Sequence, residues 1–363
     1  MQLNDVTLRE GDQMPGGDYT ADQKITAGRL LDELGLPFVQ PGFPATGAKD
    51  RQVIETLAAE LDAEVVALAR ALERDVDAAV DAGAAVVETF VPVSERHLTH
   101  LLGSSRAEML AMLADTVAHI TDRGVTPHVT LADAFRTDPG HLVEVFETVP
   151  DVPYINLADS VGARTPRSVR THLDALAADI DLDRVGVHFH DDMGCGTANA
   201  LAAYHAGVGK ADVSVASLGE RAGNSSLEEV VVACAVDDDD DLGIETGNLV
   251  PVCREVLDTI GETYDDRKAV LGEQISEHES SIHTAAMLSD TATLEPFDPE
   301  RFGGERRLLF GSATGTSGAR QLLERLGVEP DEETVEEFLT VLAANGPVRL
   351  DGALTLAREE VLS

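Results

Sequence analysis

Short runs of β-branched and other apolar residues alternate with longer amphipathic stretches rich in Ala and Leu over the first two-thirds of the chain. This alternation is typical of strand–helix units around a parallel sheet, because neighbouring parallel strands need a crossover helix between them. Eight segments have the composition of buried strands: 2–7, 38–42, 64–69, 84–93, 126–133, 154–159, 184–192 and 210–219. Their starts are about 20 to 42 residues apart, which leaves room for a helix and two loops each time.

Eight such units in about 250 residues match the size of a (β/α)8 barrel. We therefore predict an α/β protein with a TIM barrel over residues 1–250, and a doubly wound open sheet is the alternative. Two features argue against the open sheet. No GxGxxG loop follows the first strand, and polar residues gather at the carboxyl ends of several strands, where barrels place their chemistry.

The rhythm changes near residue 250, where helical segments are interrupted by loops rich in Gly, Pro and charged residues. We expect residues 251–363 to form a smaller, mainly helical region. Its last part reads as two short helices, over VEPDEETVEEFLTVLAAN and LDGALTLAREEVLS.

The composition is strongly acidic: 66 acidic residues against 27 basic ones give a formal net charge of −39. This balance opposes nucleic acid binding, which depends on Lys and Arg neutralising phosphates. Acidity spread along the whole chain predicts a halophilic protein, because a salt-rich cytoplasm screens the repulsion between carboxylates. With no secretory signal pattern and no apolar run of membrane-spanning length, we expect a cytoplasmic protein without membrane association.

The strongest local signal for chemistry is His188-Phe189-His190 in the seventh predicted strand. Residues i and i+2 of a strand point to the same face, so both imidazoles would project together at a spacing that suits a shared metal. A pair of hydrogen-bonding core histidines is the alternative interpretation.

Two further polar clusters follow the first and eighth strands, in DVTLREGDQ and GERAGN. The first combines acids, a guanidinium and an amide, which suits a hard cation and a substrate carboxylate. The second has small residues that let a ligand approach the backbone closely. Taken alone, each cluster could be an ordinary surface turn. Strands one, seven and eight are neighbours in a closed barrel, however, so we expect the three clusters to lie close together.

Four motifs in order, DVTLREGDQ, HFHDDMG, GERAGN and HESSIH, resemble the metal-dependent acyl-CoA condensing enzymes that include homocitrate, isopropylmalate and citramalate synthases. The resemblance extends from about residue 3 to at least residue 318. It implies an acyltransferase of the EC 2.3.3 type that condenses acetyl-CoA with a small 2-oxo acid and then hydrolyses the thioester. The resemblance also implies a divalent metal, which would be Mg, Mn, Zn or Co.

Site residues follow from the same resemblance. The implied metal ligands are Glu10, His188, His190 and, as a fourth, Asn224. Arg9 matches an arginine that steadies the developing enolate and oxyanion. The implied substrate-binding residues are Gln13, His128 and Ser160.

The resemblance also implies a base that removes a methyl proton from acetyl-CoA. His283 matches the second histidine of the HESSIH motif, and Glu279 is its acidic partner. A histidine suits this step because its ordinary pKa is near neutral. In the family this pair comes from the C-terminal region of a partner subunit, which implies a homodimer. The chain ends at residue 363, so we expect no C-terminal regulatory domain.

Several positions depart from the family pattern. Leu294 replaces a tyrosine, Ala132 replaces the glutamate of a Glu-Asp pair in strand five, and Ser312 and Ala313 replace Lys and His. These changes leave a slower enzyme, an altered reaction or a non-catalytic homologue open. His128 stands where homocitrate synthases have arginine and isopropylmalate synthases an acid, so it does not identify the 2-oxo acid.

The main enzymatic alternative is a metal-dependent C–C lyase or aldolase on the same barrel. Such lyases depend on a catalytic cysteine after strand eight, and GERAGNSSLEE contains none. A non-catalytic homologue would be expected to lose its ligand set, whereas all the implied ligands are present. Both considerations favour the synthase.

Overall fold

Eight parallel strands close into a barrel in the computed structural model, which describes every residue from Met1 to Ser363. The strands are β1 (Gln2–Asp5), β2 (Phe38–Gly42), β3 (Glu64–Arg70), β4 (Val86–Pro92), β5 (Thr126–Ala132), β6 (Ile155–Asp159), β7 (Val185–Phe189) and β8 (Lys210–Val213). Each pairs with the next, and β8 pairs with β1 to close the ring. The predicted (β/α)8 barrel is confirmed.

Helices follow the strands and bury their apolar faces. The longer ones in this part of the chain are Thr7–Asp12, Ala21–Asp32, Ala48–Glu60, Glu73–Asp81, Arg106–Asp122, Pro139–Thr148, Pro166–Leu176, Gly196–Tyr204, Leu227–Asp237 and Leu249–Ile260. Their ends are specified locally. Thr20 and Gln23, for example, form a reciprocal capping box that satisfies free N–H groups at the start of a helix.

The seventh and eighth strands are shorter than predicted. β8 ends at Val213, six residues before the expected limit, because the chain turns sharply afterwards. Ala216 and Ser217 have φ values of 53° and 62°, in the left-handed region that a strand cannot contain. β7 ends at Phe189, so His190 lies just beyond the strand.

The chain divides into two compact units, Met1–Tyr264 and Asp265–Ser363. This boundary corrects the predicted one at residue 250. The helix Leu249–Ile260 belongs to the barrel unit, because its buried apolar face packs against the helix Ala21–Asp32. No helix in either unit has the length and apolar character needed to cross a membrane.

The second unit contains four helices, Ser281–Ser289, Thr316–Arg325, Glu332–Asn345 and Leu350–Leu356. The last two are the helices expected from the sequence. A small sheet, not anticipated, joins β9 (Glu277–His278), β10 (Arg307–Phe310) and β11 (Val348–Arg349). Strands of two to four residues are too short to leave a periodic pattern in the sequence.

A buried lysine binds the two helices that follow β1 and β2 in the chain, Thr7–Asp12 and Ala48–Glu60. Lys24 is fully buried, and its Nζ donates to Asp50 Oδ1 at 2.7 Å and to Asp12 Oδ2 at 3.0 Å. Asp50 also accepts from the Phe43 backbone N–H at 2.8 Å. Removing one partner from a buried ion pair leaves an uncompensated charge, so this cluster is sensitive to truncation.

We predict that Lys24→Met lowers the free energy of unfolding by about 3 kcal/mol, because Asp50 would lose its buried cation. Urea denaturation at one fixed, molar KCl concentration measures the change. Lys49→Met is the matched control, since Lys49 also binds Asp12 but is 36% exposed. It should cost less than about 1 kcal/mol. Equal losses in the two variants would contradict a special role for the buried lysine.

Candidate active site

A cavity of about 290 Å³ opens in the carboxyl-terminal half of the barrel. Six of the residues expected from the sequence line it: Arg9, Glu10, Gln13, Ser160, His188 and His190. The remaining lining residues are Phe43, Leu68, Glu88, Phe90, Thr130, Ala132, Ala158, Asp212, Glu220 and Arg221. The polar clusters after strands one, seven and eight therefore meet at one place.

The segment that carries Arg9 and Glu10 is a short helix, Thr7–Asp12, rather than the expected loop. Asp5 accepts hydrogen bonds from the Thr7 backbone N–H at 3.0 Å and from its hydroxyl at 2.8 Å. The Thr7 hydroxyl in turn accepts from the Val215 N–H at 2.9 Å. These bonds hold the helix against the chain that follows β8.

His188 is oriented by Asp212. Its Nδ1 lies 3.1 Å from Asp212 Oδ2, and its Nε2 lies 3.6 Å from Glu10 Oε1. Burial alone would lower the pKa of His188, but the hydrogen bond to Asp212 and the charge of Glu10 raise it above the ordinary value. A carboxylate on Nδ1 leaves Nε2 facing Glu10, the arrangement typical of metal-binding histidines.

Arg9 and Glu10 are in direct contact. The guanidinium donates to Glu10 Oε1 and, through Nε, to Gln40 Oε1 at 2.7 Å. Burial raises the pKa of Glu10, but Arg9 and the two histidines outweigh it and bring the pKa to about 2. Glu10 is therefore a carboxylate at neutral pH. Its second oxygen, Oε2, is buried and has no hydrogen-bond partner.

Asn224 does not line the cavity, but a tight turn holds it next to His190. It forms an isolated antiparallel bridge with His190, and the Asp191 N–H donates to the Gly223 carbonyl at 2.8 Å. Gly223 has a φ of 87°, and a Cβ there would lie 1.7 Å from the Ser217 carbonyl oxygen. Only glycine fits this position, so the GERAGN segment is specified by its geometry.

His190 is held neutral. Burial and the neighbouring His188 lower its pKa to about 4, and the two rings lie 5.1 Å apart between centroids. A neutral imidazole has a lone pair available for a metal.

Three buried atoms in this region lack hydrogen-bond partners: Glu10 Oε2, His190 Nδ1 and Asn224 Oδ1. Unsatisfied buried polar atoms are costly, and a bound cation would satisfy them. As the side chains stand, no group of three or more His, Cys, Asp or Glu residues is arranged to hold a metal ion. Arg9 contacts Glu10 Oε1, the oxygen that faces His188 Nε2, so a cation shared by these two atoms would displace the guanidinium. The donor types nevertheless fit a divalent cation.

Ser160 and Arg221 border the cavity next to β6 and β8. The Ser160 hydroxyl oxygen accepts from the Asp133 N–H at 2.8 Å, and its carbonyl accepts from Arg221 at 3.1 Å. Arg221 also forms two 2.9 Å contacts with the Asp192 carboxylate. Arg221 lies inside the GERAGN motif, but the sequence assigned it no individual role.

His128 does not line the cavity, and its role in substrate binding stays a prediction. It is buried, with its ring 5.4 Å from Phe38 and 5.3 Å from Tyr154. Burial holds its pKa well below the ordinary value. Strand alternation indicates the face of a residue but not its depth, and Thr130, two residues further along β5, lines the cavity instead.

Three charged residues in the barrel interior were missed: Glu88, Lys210 and Asp212. Lys210 Nζ lies 3.0 Å from Glu88 Oε2 and 3.5 Å from Asp212 Oδ1. A signal was available, because charged residues inside the otherwise apolar strands VVETFVP and KADV need buried partners.

Glu279 and His283 lie in the second unit. Glu279 precedes the helix Ser281–Ser289, His283 lies in its first turn, and both side chains are exposed. Their catalytic role stays a prediction.

Comparison with known families assigns the fold. The HMGL-like family model matches residues 1–256, and the model described as "Homocitrate synthase post-HMGL domain-like" matches residues 270–346. The chain belongs to the HMGL-like family. The two matched ranges agree with the two structural units.

Its relatives are named as homocitrate, citramalate and 2-isopropylmalate synthases. The chain is 40% identical to homocitrate synthase AksA of Methanopyrus kandleri over 95% of this chain and 88% of that protein. A candidate (R)-citramalate synthase CimA of the same organism is 38% identical over 95% and 69%. The 2-isopropylmalate synthase of Methanocaldococcus jannaschii is 34% identical over 90% and 63%. The resemblance inferred from the four motifs is confirmed.

Solved structures of lyases share the fold. The HMG-CoA lyase of Bacillus subtilis has a TM-score of 0.65 and 23% sequence identity, and the match covers 73% of this chain and 95% of that one. At this identity the likeness shows the barrel architecture alone.

We predict that Asp212→Asn lowers the pKa of His188, because the variant loses the negative charge that favours the protonated imidazole. Histidine side-chain NMR, recorded over a pH series on metal-free protein in constant salt, measures this pKa. Asp192→Asn is the control, since Asp192 pairs with Arg221 and does not contact His188. A His188 pKa that is unchanged in Asp212→Asn would contradict the geometry described here.

Proposed function

We propose that this chain is an acyltransferase that condenses acetyl-CoA with a small 2-oxo acid and hydrolyses the resulting thioester, a reaction of the EC 2.3.3 type. The observation that carries the proposal is the meeting of Arg9, Glu10, His188 and His190 in one cavity. Support comes from relatives named as homocitrate, citramalate and isopropylmalate synthases, and from the post-HMGL domain that accompanies the barrel.

A divalent metal, Mg, Mn, Zn or Co, is part of the proposal. Its ligands would be Glu10, His188, His190 and Asn224. The buried, unpartnered oxygens and nitrogen of this set support the assignment. When bound, such a metal polarises the ketone of a 2-oxo acid and makes the carbonyl carbon electrophilic.

The remaining side chains would orient the substrate and stabilise charge. Arg9 would move from Glu10 to the developing enolate oxygen, where a guanidinium is permanently charged. Asp212 would accept a hydrogen bond from the Nδ1–H group of His188. This bond would keep His188 in the tautomer whose Nε2 lone pair is free. Gln13 and Ser160, which line the same cavity, would bind the carboxylate of the 2-oxo acid.

We further propose that His283 removes the methyl proton of acetyl-CoA with Glu279 as its partner, and that the pair reaches the site of a second subunit in a homodimer. Exposure of both side chains supports this role, because they are not needed in the core of their own unit. Ala132 lines the cavity where the family has a glutamate, so this position supplies no base.

The decisive assay follows CoA release from acetyl-CoA with a thiol reagent, in molar KCl with Mn or Mg. The panel contains pyruvate, 2-oxobutyrate, 2-oxoisovalerate, 2-oxoglutarate, oxaloacetate and glyoxylate. We expect at least one acid to stimulate release, and a chelator to abolish it, because the metal activates the ketone. Molar salt suits the net charge of −39. A metal-loaded protein that releases CoA with none of the acids would contradict the synthase.

Substitution of ligands tests the metal assignment separately. We predict that His190→Ala abolishes metal retention after gel filtration and that Glu10→Gln lowers metal affinity by at least about 100-fold, because each removes a direct ligand. His205→Ala, at a surface histidine paired with Asp238, is the control and should retain metal as the unmodified protein does. Elemental analysis and equilibrium dialysis measure both. Stoichiometric metal in both site variants would remove the basis of the assignment.

A further inference from the structure

The two sides of the cavity differ in whether they carry cations. The cationic lining residues, Arg9 and Arg221, follow β1 and β8, where Glu10, Asp212 and Glu220 also line the cavity. The opposite side is formed by β3, β4 and β5, and we name it the β3–β5 wall: Leu68, Glu88, Phe90, Thr130 and Ala132. This wall contains one carboxylate and no cation.

Two hydrogen bonds anchor the Glu88 side chain on that wall. Its Oε1 accepts from the Thr130 hydroxyl at 2.8 Å, and its Oε2 accepts from Lys210 Nζ at 3.0 Å. Lys210 is fully buried below the cavity and is not a lining residue. Burial lowers its pKa, but the charges of Glu88 and Asp212 raise it above the ordinary value, so it is an ammonium. Its charge is already compensated by two carboxylates.

The guanidinium groups at the cavity are also paired. Arg9 binds Glu10 and Gln40, and Arg221 holds Asp192 through two 2.9 Å contacts. Even if Arg9 is released to the reacting end of the substrate, it lies on the β1 side. No cation is left to neutralise a second substrate carboxylate against the β3–β5 wall.

Beyond this wall the surroundings are apolar. Phe90 and Ala132 also line a neighbouring pocket of about 330 Å³, whose other walls include Leu102 and Met112. The cation at its rim, Arg70, is paired with Asp75 at 2.5 Å. A substrate side chain that extends past Ala132 would therefore contact mainly apolar side chains.

We propose that the β3–β5 wall selects monocarboxylic 2-oxo acids with an uncharged alkyl side chain and excludes those with a second carboxylate. The inference rests on the proposed function, because it takes the 2-oxo acid to bind in this cavity. The physical reason is that the distal carboxylate of a dicarboxylic acid would lose its water beside Glu88, while every nearby cation, Lys210 included, already has a carboxylate partner. The chain would then differ from a homocitrate synthase, which must accept 2-oxoglutarate.

The test compares kcat/KM for 2-oxobutyrate and 2-oxoisovalerate with that for 2-oxoglutarate, by CoA release. We expect the better alkyl acid to exceed 2-oxoglutarate by at least about 100-fold, since burying a carboxylate without a cation partner costs several kcal/mol. Glu88→Gln keeps the size of the side chain and removes its charge. It should reduce the ratio by about 10-fold or more, and misfolding alone cannot produce this change because it lowers both rates equally.

Glu60→Gln is the matched control. It removes one carboxylate from the exposed ion pair with Arg29 and leaves the cavity lining unchanged, so the substrate ratio should stay within about 3-fold of the wild-type value. A general effect of losing one negative charge would instead change the ratio equally in Glu88→Gln and Glu60→Gln.

The outcomes separate this inference from the proposed function. Preferred turnover of 2-oxoglutarate, or a ratio unchanged in Glu88→Gln, would overturn the inference and leave the synthase intact. If no acid is turned over, calorimetric titration of the Mn-loaded protein with each acid decides. Tighter binding of the alkyl acids would support the inference while the condensation fails, and tighter binding of 2-oxoglutarate would overturn it. The wild-type comparison needs no variant, so a Glu88→Gln protein that fails to fold does not prevent the test.

Discussion

The Asp212 carboxylate is the interaction on which the barrel interior depends. It accepts from Asn4 of β1 at 2.8 Å, faces Lys210 of its own strand at 3.5 Å and holds His188 of β7 at 3.1 Å. Burial opposes its charge, but Lys210 and His188 hold its pKa below the ordinary value. One buried anion thus joins the strands at the point of barrel closure and orients a predicted metal ligand. Asp212 therefore stabilises the barrel and also sets the orientation of His188.

Charged side chains are also paired in the cavity above Asp212. Every cation in the interior or at the rim has a carboxylate partner, in a chain with far more acidic than basic residues. Three of the buried atoms without hydrogen-bond partners belong to the proposed metal ligands Glu10, His190 and Asn224. Under the proposed assignment, a divalent cation would satisfy them once the Arg9–Glu10 contact opens. The specificity for the 2-oxo acid would then depend on which substrate side chains can bind against the β3–β5 wall and its Glu88.

Periodicity predicted the barrel well, because parallel strands buried on both faces leave continuous apolar runs; β2 was placed at its observed limits, 38–42. The His188–Phe189–His190 spacing and the two neighbouring motifs located the cavity. The sequence did not predict how deep a side chain lies in the barrel, or which residue a buried charge pairs with. His128 lies below the cavity, β8 ends early at the left-handed turn of Ala216, and Lys210 pairs with Glu88 from a strand more than a hundred positions earlier. Such contacts depend on barrel closure, which local pattern does not encode.

The central claim is that Glu10, His188, His190 and Asn224 hold one divalent metal in this cavity. Anomalous diffraction at the manganese edge, from crystals grown with Mn²⁺ in molar KCl, tests it most directly. The account predicts a single strong anomalous peak within bonding distance of all four side chains, with the Arg9 guanidinium withdrawn from Glu10. A peak elsewhere in the molecule, or an empty site with the Arg9–Glu10 contact intact at saturating Mn²⁺, would contradict it.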